Sequence, residues 1–364
     1  MKNLTLFCGG YSTEHDITLL SAQNIINSID RSKYKLTVIY ISPDRGWHRL
    51  CTPDAWQLLT QSKKIDDKNH FEPVGVAFDD PKHPWVSLRD ATLRYPTDVV
   101  FPVLHGTQGE DGCIQGLLTL LGIPFVGADT LTSALLMSKI RTKQILQHAG
   151  VPCVPFKAWA YLSDYKKEAL DCFRAFGGDV FIKAANLGSS VGVSHVNDEK
   201  EINRAFDYAF QFDEWVMMEP TVIGREIEVA VLGNRHRWQM AGPGEIITKS
   251  GFYTFNAKYK DAASAEPLSA AKVTAQEREH IFSMAQKVAE ATHCEGMCRV
   301  DGFLTDKGFL ISEVNSIPGF TNISLYPGMW RDAGKPTPIL INDLLELACA
   351  RHHRLSRLQH SFSG

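Results

Sequence analysis

The chain has 364 residues, 44% of them hydrophobic and 22% charged, which suits two or three domains and excludes an intrinsically disordered chain. A formal net charge of −3 supplies no field that would gather nucleic acid or an anionic membrane. No run of about 18 apolar residues reads as a membrane span, so neither partner is expected, and any anion must be bound locally.

The N-terminal MKNLTLFCGG has no long apolar stretch or small-residue cleavage site of a secretory signal. Residues 3–8 read as a strand ending at Gly9-Gly10, followed by a helix from about Glu14 to Ile29 after the capping candidates Ser12 and Thr13. Strands at 35–41 and 98–104 and the helical GCIQGLLTLLG continue the alternation, which predicts a parallel, doubly wound α/β unit over 1–130. A single helix from Ser133 to about Gly150 follows, stopped by Gly150-Val151-Pro152. DVFIKAA at 179–185, a Gly/Ser loop, VSHV, a helix around 198–211 and WVMMEP make an α+β unit, placed at 131–224. From Arg225, the strands EIEVAVLG, GEIIT, CRVDGFL and FLISEV and an amphipathic helix at 274–292 predict a third domain over 225–364. Residues 249–268 read as a long loop, of a length usually tied to function or disorder, and RHHRLSRLQHSFSG as a frayed tail. The eight cysteines include no C-x-x-C pair, which suggests neither a zinc ribbon nor a disulfide framework. A cytoplasmic protein with reduced thiols is expected.

Three segments carry candidate chemistry. FIKAANLGSSVGV sets Lys183 inside an apolar strand, where an unpaired ammonium is costly, just before Gly188-Ser189-Ser190-Val191-Gly192. On its own that loop fits either a phosphate cradle or a structural turn. It is not a Walker A loop, because no Gly-Lys-Ser/Thr follows. CRVDGFL supplies Arg299 and Asp301, and GFLISEVNSIPGF sets Glu313 and Asn315 two apart before a Pro-Gly turn. Residues i and i+2 share a strand face, so Asp301, Glu313 and Asn315 on one hairpin make a hard oxygen set of the type magnesium shares with phosphates. Taken alone, each would be an ordinary polar residue of a half-buried strand.

The segments GGYSTEHDITLLSA, FPVLHGTQGEDGCIQG, GIPFVGADTLTSALLMSKIRTK, FIKAANLGSSVGV, GREIEVAVLGN, FNAKY, GMCRVDGFL and EVNSIPGFTNISLYP, in this order, resemble the D-alanine:D-alanine ligases of the ATP-grasp superfamily. The resemblance runs from Phe7 to about Tyr326. It implies a three-domain enzyme in which two antiparallel sheets clasp ATP, two D-alanines are joined through an acyl phosphate, and two Mg²⁺ ions (or Mn²⁺) bridge the phosphates. By the same resemblance, Asp301, Glu313 and Asn315 are the metal ligands. Lys139, Lys183, Ser190, Val191 and Lys258 contact ATP, with Glu219 at adenine and Glu226 at ribose. Glu14 holds the first D-alanine's ammonium beside His105, Arg299 and the Gly319 amide form the oxyanion hole, and Ser324 and Leu325 receive the second carboxylate. Ser189 and Tyr259 complete a polar network with Glu14. A cytoplasmic homodimer serving peptidoglycan precursor synthesis is implied as well.

Ala184 and Phe255 depart from residues common in the family, and bear on loop rigidity rather than on the reaction. Two other functions compete: a D-alanine:D-lactate ligase, against which Tyr259 speaks, and a nucleotide-binding regulator without turnover. Residues 245–266 are expected to form a lid, because an acyl phosphate must be kept from water.

Overall fold

The computed structural model describes residues 1–62, 65–248 and 265–359. Three sheets organise them. The first begins with β1 (Lys2–Gly9) and β2 (Tyr34–Ile41), which run parallel, with Leu4 opposite Leu36 and Leu6 opposite Val38. β7 (Val99–Pro102) lies parallel on the other side of β1. Leu4, Leu6, Phe7 and Cys8 are all fully buried, as expected for a strand covered on both faces. Four short strands, β3 (Trp47–Leu50), β4 (Phe71–Val76), β5 (Trp85–Ser87) and β6 (Arg94–Tyr95), extend this sheet in the order β6-β5-β4-β3-β2-β1-β7. They pair antiparallel, so the sheet is mixed. Sequences such as WHRL and FEPVGV are too short and too polar to announce strands by alternation.

Helix α1 (His15–Ser28) lies along β1, and α2 (Ala55–Ser62) and α3 (Cys113–Leu120) complete this part. The single helix expected from Ser133 to Gly150 is two, α4 (Thr130–Met137) and α5 (Lys139–His148). Asp129 caps the first through Thr132 N, and Ser138 caps the second through Arg141 N. The break follows from Ser138, which is extended (φ −85°, ψ 102°) and acts as an N-cap. It sets Lys139 at a helix start.

The second sheet is antiparallel, β10-β9-β11-β8, from β8 (Lys157–Ala160), β9 (Val180–Ala184), β10 (Val193–Val196) and β11 (Trp215–Pro220). Its core face packs α6 (Lys166–Ala175) and α7 (Ile202–Ala209), with Phe173 and Phe206 against Val180, Ile182, Val216 and Met218. The third sheet, also antiparallel, runs β14-β13-β12-β15-β16, from β12 (Arg225–Asn234), β13 (Arg237–Thr248), β14 (Ala265–Leu268), β15 (Gly296–Thr305) and β16 (Gly308–Asn315). Helix α8 (Ala275–Thr292) begins with a capping box, Thr274 and Glu277, and packs Ile281, Ala285 and Val288 on one face of this sheet. Helix α5 touches two sheets: Leu146 joins that core, whereas Ile140 meets Ala185 and Met217 of the second sheet region.

Helices α9 (Leu325–Asp332) and α10 (Thr337–Leu355) tie the ends of the chain together, their Tyr326, Met329, Leu340 and Leu344 sharing one core with Leu4, Leu6 and Phe101. The expected frayed tail is corrected here. Helix α10 continues through the RHHRL sequence, and Arg351, 4% exposed, donates to the carbonyls of Phe125 (2.8 Å) and Gly127. Buried carbonyls need donors, so this guanidinium is a clamp between the first and last parts of the fold. Lys258, Tyr259, Phe255 and residues 249–264 of the expected lid fall outside the described residues; its described ends are strand and not loop, 245–248 belonging to β13 and 265–266 to β14, as do 267 and 268 of the expected long loop.

Candidate active site

Glu14 stands at the N-cap of α1 but makes no capping bond. Its carboxylate instead accepts a hydrogen bond from Ser189 Oγ, 175 residues away in sequence. Ser189 and Ser190 both hold left-handed backbone (φ 52° and 58°), a conformation uncommon outside glycine. Gly106 has φ +75°, and a Cβ built there would lie 2.7 Å from Glu14 Oε2. Any side chain at 106 would therefore displace the carboxylate.

His105 is buried beside them. Its Nδ1 lies 3.0 Å from Ile317 O, and because a carbonyl only accepts, Nδ1 carries the proton. Nε2, 2.9 Å from Ser21 Oγ, then accepts from that hydroxyl. Burial pushes the imidazole's pKa down against the pull of Glu14, so the neutral tautomer is the stable one. Ser21 Oγ in turn accepts from Phe320 N (3.1 Å), and Asn24 Nδ2, one helical turn on, donates to Phe320 O (2.8 Å). Helix α1 thus grips both backbone groups of Phe320 and fixes the adjoining Gly319 peptide. Ser21 and Asn24 carried no signal in the sequence beyond their i, i+3 spacing.

Glu110 accepts from Gly106 N and Ile317 N, each at 2.9 Å. Burial, and after it the charge of Glu14, push its carboxyl up to about 8. A carboxyl raised in the folded state stabilises the fold most at acid pH, and that contribution is lost as pH rises from the unfolded value towards 8. Glu110→Gln is therefore expected to flatten the decline of unfolding free energy between pH 5 and 8, measured by urea denaturation. A slope equal to that of the parent protein would show that Glu110 ionises as an ordinary carboxylate.

Lys139, the first residue of α5, donates from Nζ to Leu187 O (2.5 Å) and pairs with Glu313 Oε2 at 3.1 Å. One turn later, Lys143 Nζ sits 2.6 Å from Glu219 Oε1 and donates to Val154 O at 3.0 Å. The other oxygen of Glu219 meets Lys183 Nζ at 2.5 Å. The side chains of Lys143, Glu219 and Lys183 are 1%, 5% and 14% exposed. Burial opposes charge on Glu219, but Lys143 and Lys183 outweigh it and hold the carboxyl below its ordinary range. Burial likewise opposes charge on Lys183, yet Glu219, with smaller help from Glu313 and Glu226, holds it above the ordinary lysine value. Lys143 escaped the sequence reading, although its i+4 spacing from Lys139 put both on one helix face. Val191 N closes the glycine-serine loop on Gly188 O at 3.2 Å.

The β15–β16 hairpin sets Asp301 opposite Glu313 and Arg299 opposite Asn315. A register shift between Asp301 and Gly302 lets Val314 enter the core while Glu313 and Asn315 remain half-exposed. Arg299 forks onto Asp301 (Nε–Oδ1 2.7 Å, Nη2–Oδ2 2.6 Å) and also reaches Glu228 Oε2 at 3.0 Å. Burial disfavours the guanidinium's charge, but Asp301 and Glu228 outweigh that and keep it ionised well above the usual range. Asn315 Nδ2 donates to Asp301 Oδ2 at 2.9 Å. Glu228 was missed in the sequence, though it lies two residues after Glu226 on β12. Among the described residues, no group of three or more His, Cys, Asp or Glu could cage a metal alone. Two carboxylates and an amide fit a hard cation that completes its shell with phosphate oxygens and water. Ser324 is the N-cap of α9 and Leu325 its first residue, and Thr321 N donates to Ser324 Oγ at 3.0 Å.

Two antiparallel sheets with lysines facing a carboxylate hairpin, beside an N-terminal α/β unit, define an ATP-grasp ligase. Family models described as D-ala D-ala ligase N-terminus and C-terminus match residues 3–128 and 145–346. D-alanine--D-alanine ligases of Coxiella burnetii and Proteus mirabilis are 40% and 39% identical over 363 and 359 residues. Each match covers 98% of this chain and 96% or 97% of the relative. The solved D-alanine-D-alanine ligase of Coxiella burnetii superposes with a TM-score of 0.88 at 37% identity, covering 98% of this chain and 96% of that one. VanG D-Ala:D-Ser ligase of Enterococcus faecalis superposes with 0.84 at 31%, covering 95% and 99%. The chain belongs to the D-alanine–D-alanine ligase family. Its activity is the ATP-dependent joining of two D-alanines, and the relatives do not favour the D-lactate alternative. No helix among the described residues is long and apolar enough to cross a membrane.

Proposed function

We propose the following assignment of the reaction to residues. Lys139 and Lys183, with Ser190 and Val191 in the loop beyond, bind the ATP phosphates, Glu219 lies at adenine and Glu226 at ribose. Asp301, Glu313 and Asn315 hold two Mg²⁺ ions, for which Mn²⁺ substitutes. When bound, the metal neutralises phosphate charge and makes the γ-phosphoryl group a better electrophile. Glu14 fixes the ammonium of the first D-alanine, and neutral His105 lies at its carboxylate. That carboxylate attacks the γ-phosphorus, ADP leaves, and an acyl phosphate forms. The second D-alanine, its carboxylate held at Ser324 and Leu325 where a helix N-terminus favours an anion, loses a proton and attacks the acyl carbon. Arg299 and the Gly319 amide stabilise the oxyanion until phosphate departs.

The observation that carries this reading is the pairing of Glu14 with Ser189 of the glycine-serine loop beside His105 and Ser21, which hold Ile317 and Phe320, with Lys139 joining the phosphate loop to Glu313. Lys258 and Tyr259, outside the described residues, are assigned to ATP and to the Glu14–Ser189 network. The three domains are placed at 1–130, 131–224 and 225–364, with a lid at 245–266. A cytoplasmic homodimer that makes peptidoglycan precursors completes the proposal.

Product analysis tests it. With D-alanine alone the product is D-alanyl-D-alanine, and with D-lactate added the dipeptide still dominates from pH 6 to 9. Tyr259→Phe removes one hydroxyl, whose hydrogen bond is worth roughly 0.5–1.5 kcal/mol. It is expected to let D-lactate compete, most visibly at low pH, where less amine is free. An unchanged product ratio would remove Tyr259 from acceptor selection.

A further inference from the structure

Glu219 is one buried carboxylate with two buried ammonium groups, Lys143 at 2.6 Å and Lys183 at 2.5 Å. The two lysines are not equivalent. Lys143 is 1% exposed, donates also to Val154 O, and has Lys183 and Cys153 as its ionisable neighbours besides Glu219; burial, with the repulsion of Lys183, holds its ammonium below the ordinary lysine value against the pull of Glu219. It has no path to a nucleotide. Lys183 is less enclosed and faces Glu226 and Glu313 across the cleft between the second and third sheets. A phosphate that takes hold of Lys183 draws it from Glu219, and a buried carboxylate left without a cation is strongly unfavourable.

We propose that Lys143 is a positioning residue for nucleotide binding: it stays with Glu219 as a permanent counter-ion and so releases Lys183 to the ATP phosphates. This divides the labour on α5, with Lys139 turned to the ligand and Lys143, one turn later, to the carboxylate. The proposal rests on the assignment of Lys183 to ATP phosphates. It adds a residue that touches neither substrate nor metal.

The test compares the KM values for ATP and D-alanine in K143M, K143R, E219Q, K143M/E219Q and K183M, with the Kd of a non-hydrolysable ATP analogue measured in Mg²⁺. K143M is expected to raise the KM for ATP at least about tenfold and to leave that for D-alanine within about twofold of the parent. K143R, which keeps the charge, recovers most of the loss. The effect of K143M shrinks when it is made in the E219Q background, because no carboxylate is left stranded, and that comparison carries the test should K143M alone fold poorly. The proposal is overturned if K143M binds ATP like the parent, if both KM values rise together, or if its effect is undiminished in the E219Q background. K183M separates the two readings: a K183M enzyme with parental ATP affinity refutes the phosphate role of Lys183, and this proposal with it. Weak ATP binding in K183M together with an indifferent K143M refutes the Lys143 role alone.

Discussion

Replacing Glu313 by Gln is expected to lower turnover at least about a hundredfold, the scale of losing a preorganised charge at a phosphoryl-transfer site. The substitution keeps shape and removes one formal charge. Glu313 faces Asp301 across the hairpin and pairs with Lys139 at 3.1 Å, so the loss acts on the cation site and on the phosphate lysine together. Weaker Mg²⁺ binding should accompany it, visible as a shift of the Mg²⁺ dependence to higher concentration in an assay of phosphate release. Near-parental turnover at low Mg²⁺ would show that Glu313 is not a metal ligand. Because Glu313 remains half-exposed, its change should leave thermal stability almost unaltered, which keeps the kinetic result free of unfolding.

Arg299→Met should be more severe. It removes the guanidinium proposed to meet the oxyanion and strands two carboxylates, Asp301 and Glu228, that now share it. Loss of one oxyanion donor costs about 10²–10³ in turnover. Breaking a buried ion pair costs roughly 3–5 kcal/mol of stability, so the melting temperature should fall as well. The two effects separate by kinetics on the folded fraction: kcat should fall much more than the KM for ATP rises, the pattern of an interaction made chiefly in the transition state. Adding Glu228→Gln should restore part of the stability but not the turnover. A double variant that regained turnover would make Arg299 a structural counter-ion only.

The Glu313–Asn315 pair was legible in the sequence because its determinants are local. Two polar residues at i and i+2 in an apolar strand, followed by a turn, carry their geometry with them, and the paired strand with Asp301 was close enough to be read as a hairpin. β1, β2, β9, β11 and β12 were legible for the same reason, as short apolar runs bounded by turn or helix signals, and the ordered motifs led to the family. The boundary at Ser138 was not legible, because the helical pattern runs through it and only the capping geometry reveals the break. β3 to β6 were not, because strands of two to six residues are stabilised by the sheet they join and not by their own period.

Tertiary structure alone decided which polar groups meet. Ser21 reaches Phe320 across 299 residues, Glu14 reaches Ser189 across 175, and Arg351 holds Gly127 across 224. Each is a pairing of buried groups that must be satisfied once water is excluded, and no local pattern announces its partner. The same holds for Lys143, an ordinary helix lysine by sequence that becomes a buried counter-ion only when α5 packs against β11. The sequence by itself determined the chemistry available: oxygen ligands, lysines and a glycine-serine loop in a recognisable order. The fold determined their charge states and mutual distances, because burial and ion pairing depend on groups brought together from distant parts of the chain.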